Sequence, residues 1–286
     1  TLTLSSVINT TTNYRGGNNT VAWDGTYRSM LGMPATYISR TNFRAYARNR
    51  GARWNILPDH VYNSIFWLYM IEYANRNSQA AVNNLLDANG CRLGGLGQGV
   101  TTTDSGSWNT YNGYNPFIPC GSSNSLGNFS GEYGVSPASY PGGLTFKVPR
   151  YRGIENIFGH LWKWLDGITI NATATETQVY TTEDPTYFDD TINGKTLIGL
   201  SPRASNYYAE ILFGATGCIQ PKLGSIMGTS LTHWFDYYDQ STYAGVRAVL
   251  VSGNAYYGAS AGLAYSHTNI AASSASASLG SRLCFL

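Results

Sequence analysis

The clearest run of apolar and polar positions along the chain begins just after Pro58. Val61, Ile65, Leu68 and Ile71 recur at three- and four-residue spacing, with Asp59 placed as an N-cap, so the pattern predicts a helix from about residue 59. Phe66, Trp67, Tyr69 and Met70 fill its flanks; a helix apolar around so much of its circumference is predicted to be deeply packed. Residues 75–89 continue as helix or turn and stop at Gly90. A second helix is predicted from about Gly153 to Asp166, through Ile154, Ile157, Phe158, Leu161, Trp162 and Leu165, with Asp166-Gly167 as its stop. Shorter segments follow: strands at 168–175 and 178–181, a buried strand at 197–200, and a core strand at 246–251. Two stretches keep no period. The first twenty residues, rich in Thr and Asn, read as an extended lead-in, followed by a small-residue and arginine-rich segment to Trp54. Residues 94–143, dominated by Gly, Ser, Asn and Tyr, read as long loops with short strands.

Composition narrows the class. At 286 residues the chain holds one large domain or two modest ones. Only 12% of residues are charged, about half the usual share, and polarity comes from Asn, Ser, Thr and Gly together with 22 tyrosines. That balance fits adhesins and viral surface proteins better than a cytosolic metabolic enzyme. With a net charge of +2, the grouped Arg44, Arg48, Arg50 and Arg53 read as a solvated face or as partners of carboxylates rather than a nucleic-acid site. No apolar run is long enough for a membrane span and no signal peptide opens the chain. It starts at Thr1 rather than Met, which reads as a segment of a longer protein.

The candidates for chemistry are sparse. Cys91, Cys120, Cys218 and Cys284 are too far apart for a four-cysteine zinc site, and buried free thiols are preferred over two disulfides. His60, His160, His233 and His267 form no HExxH or HxH pattern, and no GxSxG elbow occurs. Glu183-Asp184 and Asp189-Asp190 are the carboxylate pairs that glycoside hydrolysis or calcium binding would need, but they read as a solvated loop. Asp236, Asp239 and Gln240, beside Tyr237-Tyr238, give a similarly weak calcium pattern. No catalytic residue, metal or cofactor is assigned.

The terminal segment, 246–286, is the most informative. Its richness in Ala, Ser, Asn and Gly reads as disorder when taken alone. Yet it closes on Leu279-Gly280-Ser281-Arg282-Leu283-Cys284-Phe285-Leu286, an apolar, strand-like end able to anchor it. Two kinds of position interleave. Arg247, Leu250, Gly253, Gly258, Gly262, Leu263, Ala271, Gly280, Arg282 and Leu283 look like scaffold, with the glycines permitting tight turns. Tyr256, Tyr257, Ser260, Ser266, His267, Ile270, Ser274, Ser276 and Ser278 look free. Tyr, Ser, His and Ile are all reached from an Asn codon by replacing adenines, and Asn254, Thr268 and Asn269 fit the same rule. Tyr for amphipathic area and Ser or Asn for adaptable hydrogen bonds make the residue set of a paratope. Trp108, Tyr111, Tyr114, Tyr237, Tyr238 and Tyr243 could extend such a face, though core packing is the preferred role for each.

This pattern resembles the variable proteins of diversity-generating retroelements, in which adenine-directed errors are copied into the end of a gene. The resemblance is carried by 246–286 and, less tightly, by 152–167, and covers roughly the chain after residue 140. It implies a C-type-lectin-like fold related to that of formylglycine-generating enzymes: α+β, with two helices and a small irregular antiparallel sheet with long loops. The implied organisation is a ligand-binding domain at 141–286, preceded at 1–140 by a helical and loop-rich region that elaborates the same domain or joins a fibre. The implied function is recognition of a bacterial surface receptor, protein or glycan, by a phage tail-fibre tip on the virion. The chain is then expected to be a homo-oligomer, a trimer being common among fibres. A bacterial cell-surface adhesin or lipoprotein is the alternative, and a carbohydrate-active enzyme a distant third. The cysteine pair of formylglycine-generating enzymes is not matched, since Cys218 lies far from Cys284, so oxidase activity is not implied.

Overall fold

The computed structural model describes residues 35, 38–82, 120–121, 123–135, 146–207, 209–225, 236–240, 243–276 and 278–286. The lead-in at 1–20, most of the 94–143 loops, the end of the 75–89 segment, Cys91, Trp108, Tyr111 and Tyr114 lie outside the described residues. Within them the chain is mixed α and β, with two α-helices and curled sheets. In order these are α1 (Arg40–Arg48), β1 (Trp54–Ile56), α2 (Asp59–Tyr73), β2 (Gly131–Val135), β3 (Phe146–Tyr151), β4 (Ile154–Glu155), β5 (Trp162–Trp164), β6 (Ile168–Ala172), β7 (Glu176–Thr181) and β8 (Thr196–Pro202). There follow β9 (Ser205–Tyr207), β10 (Ile211–Phe213), β11 (Cys218–Pro221), β12 (Tyr237–Asp239), β13 (Gly245–Val251), β14 (Ser266–Ile270), β15 (Leu279–Gly280) and β16 (Leu283–Phe285).

The helix after Pro58 forms, but it turns a different face inward. Its buried side chains include Tyr62, Phe66, Tyr69 and Met70, whereas Leu68 and Ile71 are exposed and Val61 and Ile65 are only partly covered. Two stripes of equal spacing compete on this helix, and the aromatic one buries more surface. Its hydroxyls also find acceptors inside: Tyr62 donates to Leu263 O at 2.6 Å and Tyr69 to Ser78 O at 2.7 Å. Pro58, not Asp59, holds the cap position; Asp59 is the first helical residue, its amide donating to Asp166 O at 2.8 Å.

The helix predicted at 153–166 is instead two short strands joined by a buried turn. Asn156 and Gly159 take φ of 55° and 74°, which no right-handed helix tolerates. The run from Ile157 to Ile170 has no exposed face at all, so its apolar spacing reflects complete burial rather than a helical stripe. Gly167 (φ 72°) turns the chain into β6, where a Cβ would lie 2.7 Å from Thr182 O. The second helix is α1, capped by Ser39, whose hydroxyl accepts from the Asn42 amide. It buries Arg40, Phe43, Arg44 and Ala47.

The main sheet has nine strands, ordered β8-β7-β6-β13-β14-β12-β9, with β5 paired to the second half of β13 and β15 paired to β5. It is mixed rather than antiparallel throughout, because β12·β14 and β15·β5 are parallel pairs. The strand predicted at 246–251 is its centre: Val249 and Val251 face one core, Ala248 and Leu250 the other. The strand at 197–200 is present within β8, though Leu197 is exposed and its neighbours are only half-buried. The first core contains Leu57, Tyr62 and Phe66 beside Ile168, Val249 and Leu263; the second contains Ile38, Phe43 and Ala47 beside Trp162, Trp164 and Leu250. β1 also pairs with β16, so the strand-like close is anchored as expected. Residues 38–82 therefore share both cores with the later part of the chain, and a boundary near 140 separates no core among the described residues.

Candidate functional site

One buried ion network sets the frame. Arg44 grips Asp166 through two hydrogen bonds of 2.6 and 2.9 Å, and Asp190 bonds both Arg40 and Arg44. Burial opposes ionisation of Asp190, but the arginines and Thr41 overcome it and hold the carboxyl below the usual range. Asp189 is likewise tied, to Lys195 at 2.6 Å. Asp190 thus pins the 184–195 loop to α1, and neither it nor Asp189 is a free solvated carboxylate, whereas Glu183 and Asp184 are exposed, as expected of a solvated loop. The arginine group divides in the same way, since Arg44 is buried and Arg48 donates to the Pro185 and Phe188 carbonyls.

The terminal segment is built on this frame. Leu250, Gly253, Leu263 and Gly280 of the expected scaffold are buried. Gly253 (φ 65°) turns the chain ahead of the short 3-10 segment Ala255–Ser260, and Gly258 (φ 46°) kinks it from within. Gly262 admits no side chain: a Cβ would stand 1.9 Å from Asp236 Oδ1 and 2.5 Å from Ser78 Oγ. Beneath it Asp236 accepts from the Ala264 amide at 2.7 Å, while Ser78 Oγ accepts from the Leu263 amide at 3.0 Å. Asp236 is fully buried, and burial pushes its carboxyl up to about 7. Asn254 is also buried and caps the 3-10 helix by accepting from the Tyr256 amide, which makes it part of the frame.

The nine positions read as free divide into seven and two. Tyr256 is exposed, and Tyr257, Ser260, His267, Ile270, Ser274 and Ser276 are partly exposed. Ser266 and Ser278 are not surface residues. Along β14 the side chains alternate, so Ser266 and Thr268 turn inward and His267 and Asn269 outward. Ser266 donates to Gln220 Oε1 at 2.9 Å in the core, and Ser278 is buried, its carbonyl accepting from the Trp162 amide.

Six of the seven fall into two groups, while the Ser276 hydroxyl lies against that of Ser278 at 3.2 Å. Tyr256, Tyr257, Ser260 and His267 join an aromatic cluster with Trp162, Tyr207, Tyr237 and Tyr265, whose ring centroids lie 4.6 to 5.7 Å apart. Asp239 sits among these rings, hydrogen-bonded to His267 Nδ1 at 2.9 Å. The His267 bond holds the Asp239 carboxyl below its ordinary range. Burial, then the nearby Asp239 charge, raises the Tyr237 and Tyr257 hydroxyls, which stay protonated and able to donate. The second group, Ile270 and Ser274, lines a surface pocket with Tyr243, Arg247, Asn269 and Ala271. Tyr243 is exposed, with the Arg247 guanidinium over its ring at 5.4 Å.

Sequence reasoning missed Tyr207 and Trp162, because β9 and β5 are brought here only by the sheet order; Tyr265, in the terminal segment itself, is a buried ring beneath the face. Tyr238, by contrast, is a core residue, as preferred for it. Among the described residues no group of three or more His, Cys, Asp or Glu side chains is placed to hold a metal ion. No helix among them is long and apolar enough to cross a membrane. Cys218 is a buried free thiol; Cys120 and Cys284 are also free but not fully buried. No family model and no curated protein matches the chain.

Proposed function

We propose that the protein is a recognition module. Its C-terminal segment displays a contact face that varies in sequence, on a C-type-lectin-like scaffold of the kind used by diversity-generating retroelement proteins. The observation that supports this most is the division of one continuous segment into a buried frame and a set of exposed side chains. Leu250, Gly253, Asn254, Gly262 and Leu263 sit within the fold, whereas seven of nine adenine-accessible positions reach the surface. A rigid frame carrying Tyr, Ser and His is an economical paratope, since little entropy is lost on binding. The partner is a bacterial surface ligand, protein or glycan, and several copies on a phage fibre tip add avidity to a weak single site. Catalysis is not part of this reading, because the acidic pair that hydrolysis would use is tied to Arg40, Arg44 and Lys195.

The locus tests it. The reading expects a near-copy of the segment encoding 246–286 beside a reverse-transcriptase gene, differing from it only at adenines of the copy. A locus without such a copy, or one differing mainly elsewhere, overturns the variable face. Upstream shaft repeats favour the fibre setting, and a lipobox favours the anchored adhesin.

A further inference from the structure

Away from the contact face, a cavity of about 120 Å³ opens between β4, β5 and the chain leaving β15. Lys163, Arg282, Ser281, His160, Asn156 and Glu155 are among its walls. Lys163 is buried, yet among the described residues its side-chain nitrogen donates only to neutral oxygens, Ser252 Oγ at 2.8 Å and Leu161 O at 3.4 Å. The Arg282 Nη2 donates to the carbonyls of Glu155 and Asn156. The one carboxylate among the described wall residues, Glu155, is already engaged: it accepts from the Gly121 and Ser123 amides and the Ser123 hydroxyl, and Arg150 lies 3.7 Å from it. Among the described residues the wall thus holds two basic side chains, Lys163 and Arg282, and one carboxylate, whose oxygens are engaged elsewhere. A buried charge without a partner is costly, and such groups pair, neutralise or take up a counter-ion.

We propose that this cavity is a binding site for a small oxyanion, a carboxylate or a tetrahedral anion such as sulfate, held between Lys163 and Arg282. The size fits: a cavity of about 150 Å³ accommodates a benzene ring, so the present one takes an acetate- or sulfate-sized group and not a sugar ring. Arg282 supplies a fixed guanidinium charge able to donate to an oxyanion, and Lys163, when protonated, a point charge. In the empty site burial, then repulsion from Arg282, pushes the Lys163 ammonium well below its usual range. An arriving anion opposes this and favours the ammonium, so protons are drawn from the buffer as the anion binds. Binding and proton uptake are linked, and affinity rises as pH falls.

Calorimetric titration of the whole chain at pH 8 with sodium acetate, and separately with sodium sulfate, tests this; neither probe titrates at that pH. Each is run in two buffers of different ionisation enthalpy, against sodium chloride at equal ionic strength. The expected result is one saturable site for at least one probe, net proton uptake on binding, and at least tenfold weaker binding in Lys163→Met. Absence of saturable binding by both probes overturns the proposal, as does binding with no proton uptake. Unchanged affinity in a folded Lys163→Met also overturns it. The proton measurement is made on the wild-type chain and stands whether or not that variant folds.

Discussion

Two parts of the last forty residues use the same small amino acids to opposite ends. Residues 250–254 and 261–266 are buried throughout, and there Ser252 and Ser266 hydrogen-bond inward and the glycines make room for close contact. Residues 256–260 and 269–276 present Tyr256, Ser260, Ser274 and Ser276 at or near the surface. Composition does not separate frame from face, since serine belongs to both. Strand alternation and turn geometry do, and that distinction says where change is tolerated.

The comparison breaks most visibly at the ion network beneath the frame. Arg44→Met leaves Asp166 buried without its bidentate partner and is expected to cost about 3–5 kcal/mol. Urea unfolding measures this; a loss under 1 kcal/mol would show that the network does not hold the frame.

Next comes the pH dependence of the buried carboxyls. Burial raises Asp59 and Asp236 to about 7, above their unfolded value near 4, so each contributes stability that is full below the unfolded value. That contribution declines as pH rises through about 7. Asp236→Asn lacks this titration, so its stability relative to wild type is expected to increase between pH 4 and pH 8, by at most about 4 kcal/mol. Parallel stability profiles for the two proteins would contradict the assignment.

Gly262→Ala sharpens the contrast at a single methyl group. Its Cβ would overlap Asp236 and Ser78, both in the buried cradle, so a loss of about 1–3 kcal/mol or more is expected by thermal unfolding. The smallest effect belongs to the face. Tyr256→Ser should change stability by no more than about 0.5 kcal/mol, as for ordinary surface positions. A larger loss would move Tyr256 into the frame.

Much of the frame could be read from the sequence, and the misreadings have physical causes. The core strand at Val249–Val251 and the helix after Pro58 announce themselves by apolar periodicity. The inward face of that helix does not, because tyrosine stripes compete with aliphatic ones and win by finding buried carbonyl acceptors. The stretch 153–166 imitates a helical stripe because every side of it is covered, and only the positive φ of Asn156 and Gly159 separates the two outcomes. α1 is hidden for the opposite reason: its inward stripe contains Arg40 and Arg44, whose burial depends on carboxylates more than 120 residues away. At the site, codon logic picked positions without regard to strand parity, so it could not tell Ser266 from His267. The aromatic partners Tyr207 and Trp162 carry no local signal and enter only through sheet order.

The division between frame and face is tested most directly by randomising two sets of positions and measuring the folded fraction on a display scaffold. One library varies Tyr256, Tyr257, Ser260, His267, Ile270, Ser274 and Ser276 together; the other varies Leu250, Gly253, Gly262, Leu263 and Ser266. The account predicts that most members of the first library fold and that selection against unrelated targets yields different binders. It predicts that few members of the second fold. Equal folded fractions in the two libraries, or a first library that folds and yields no binder to any target, would contradict it.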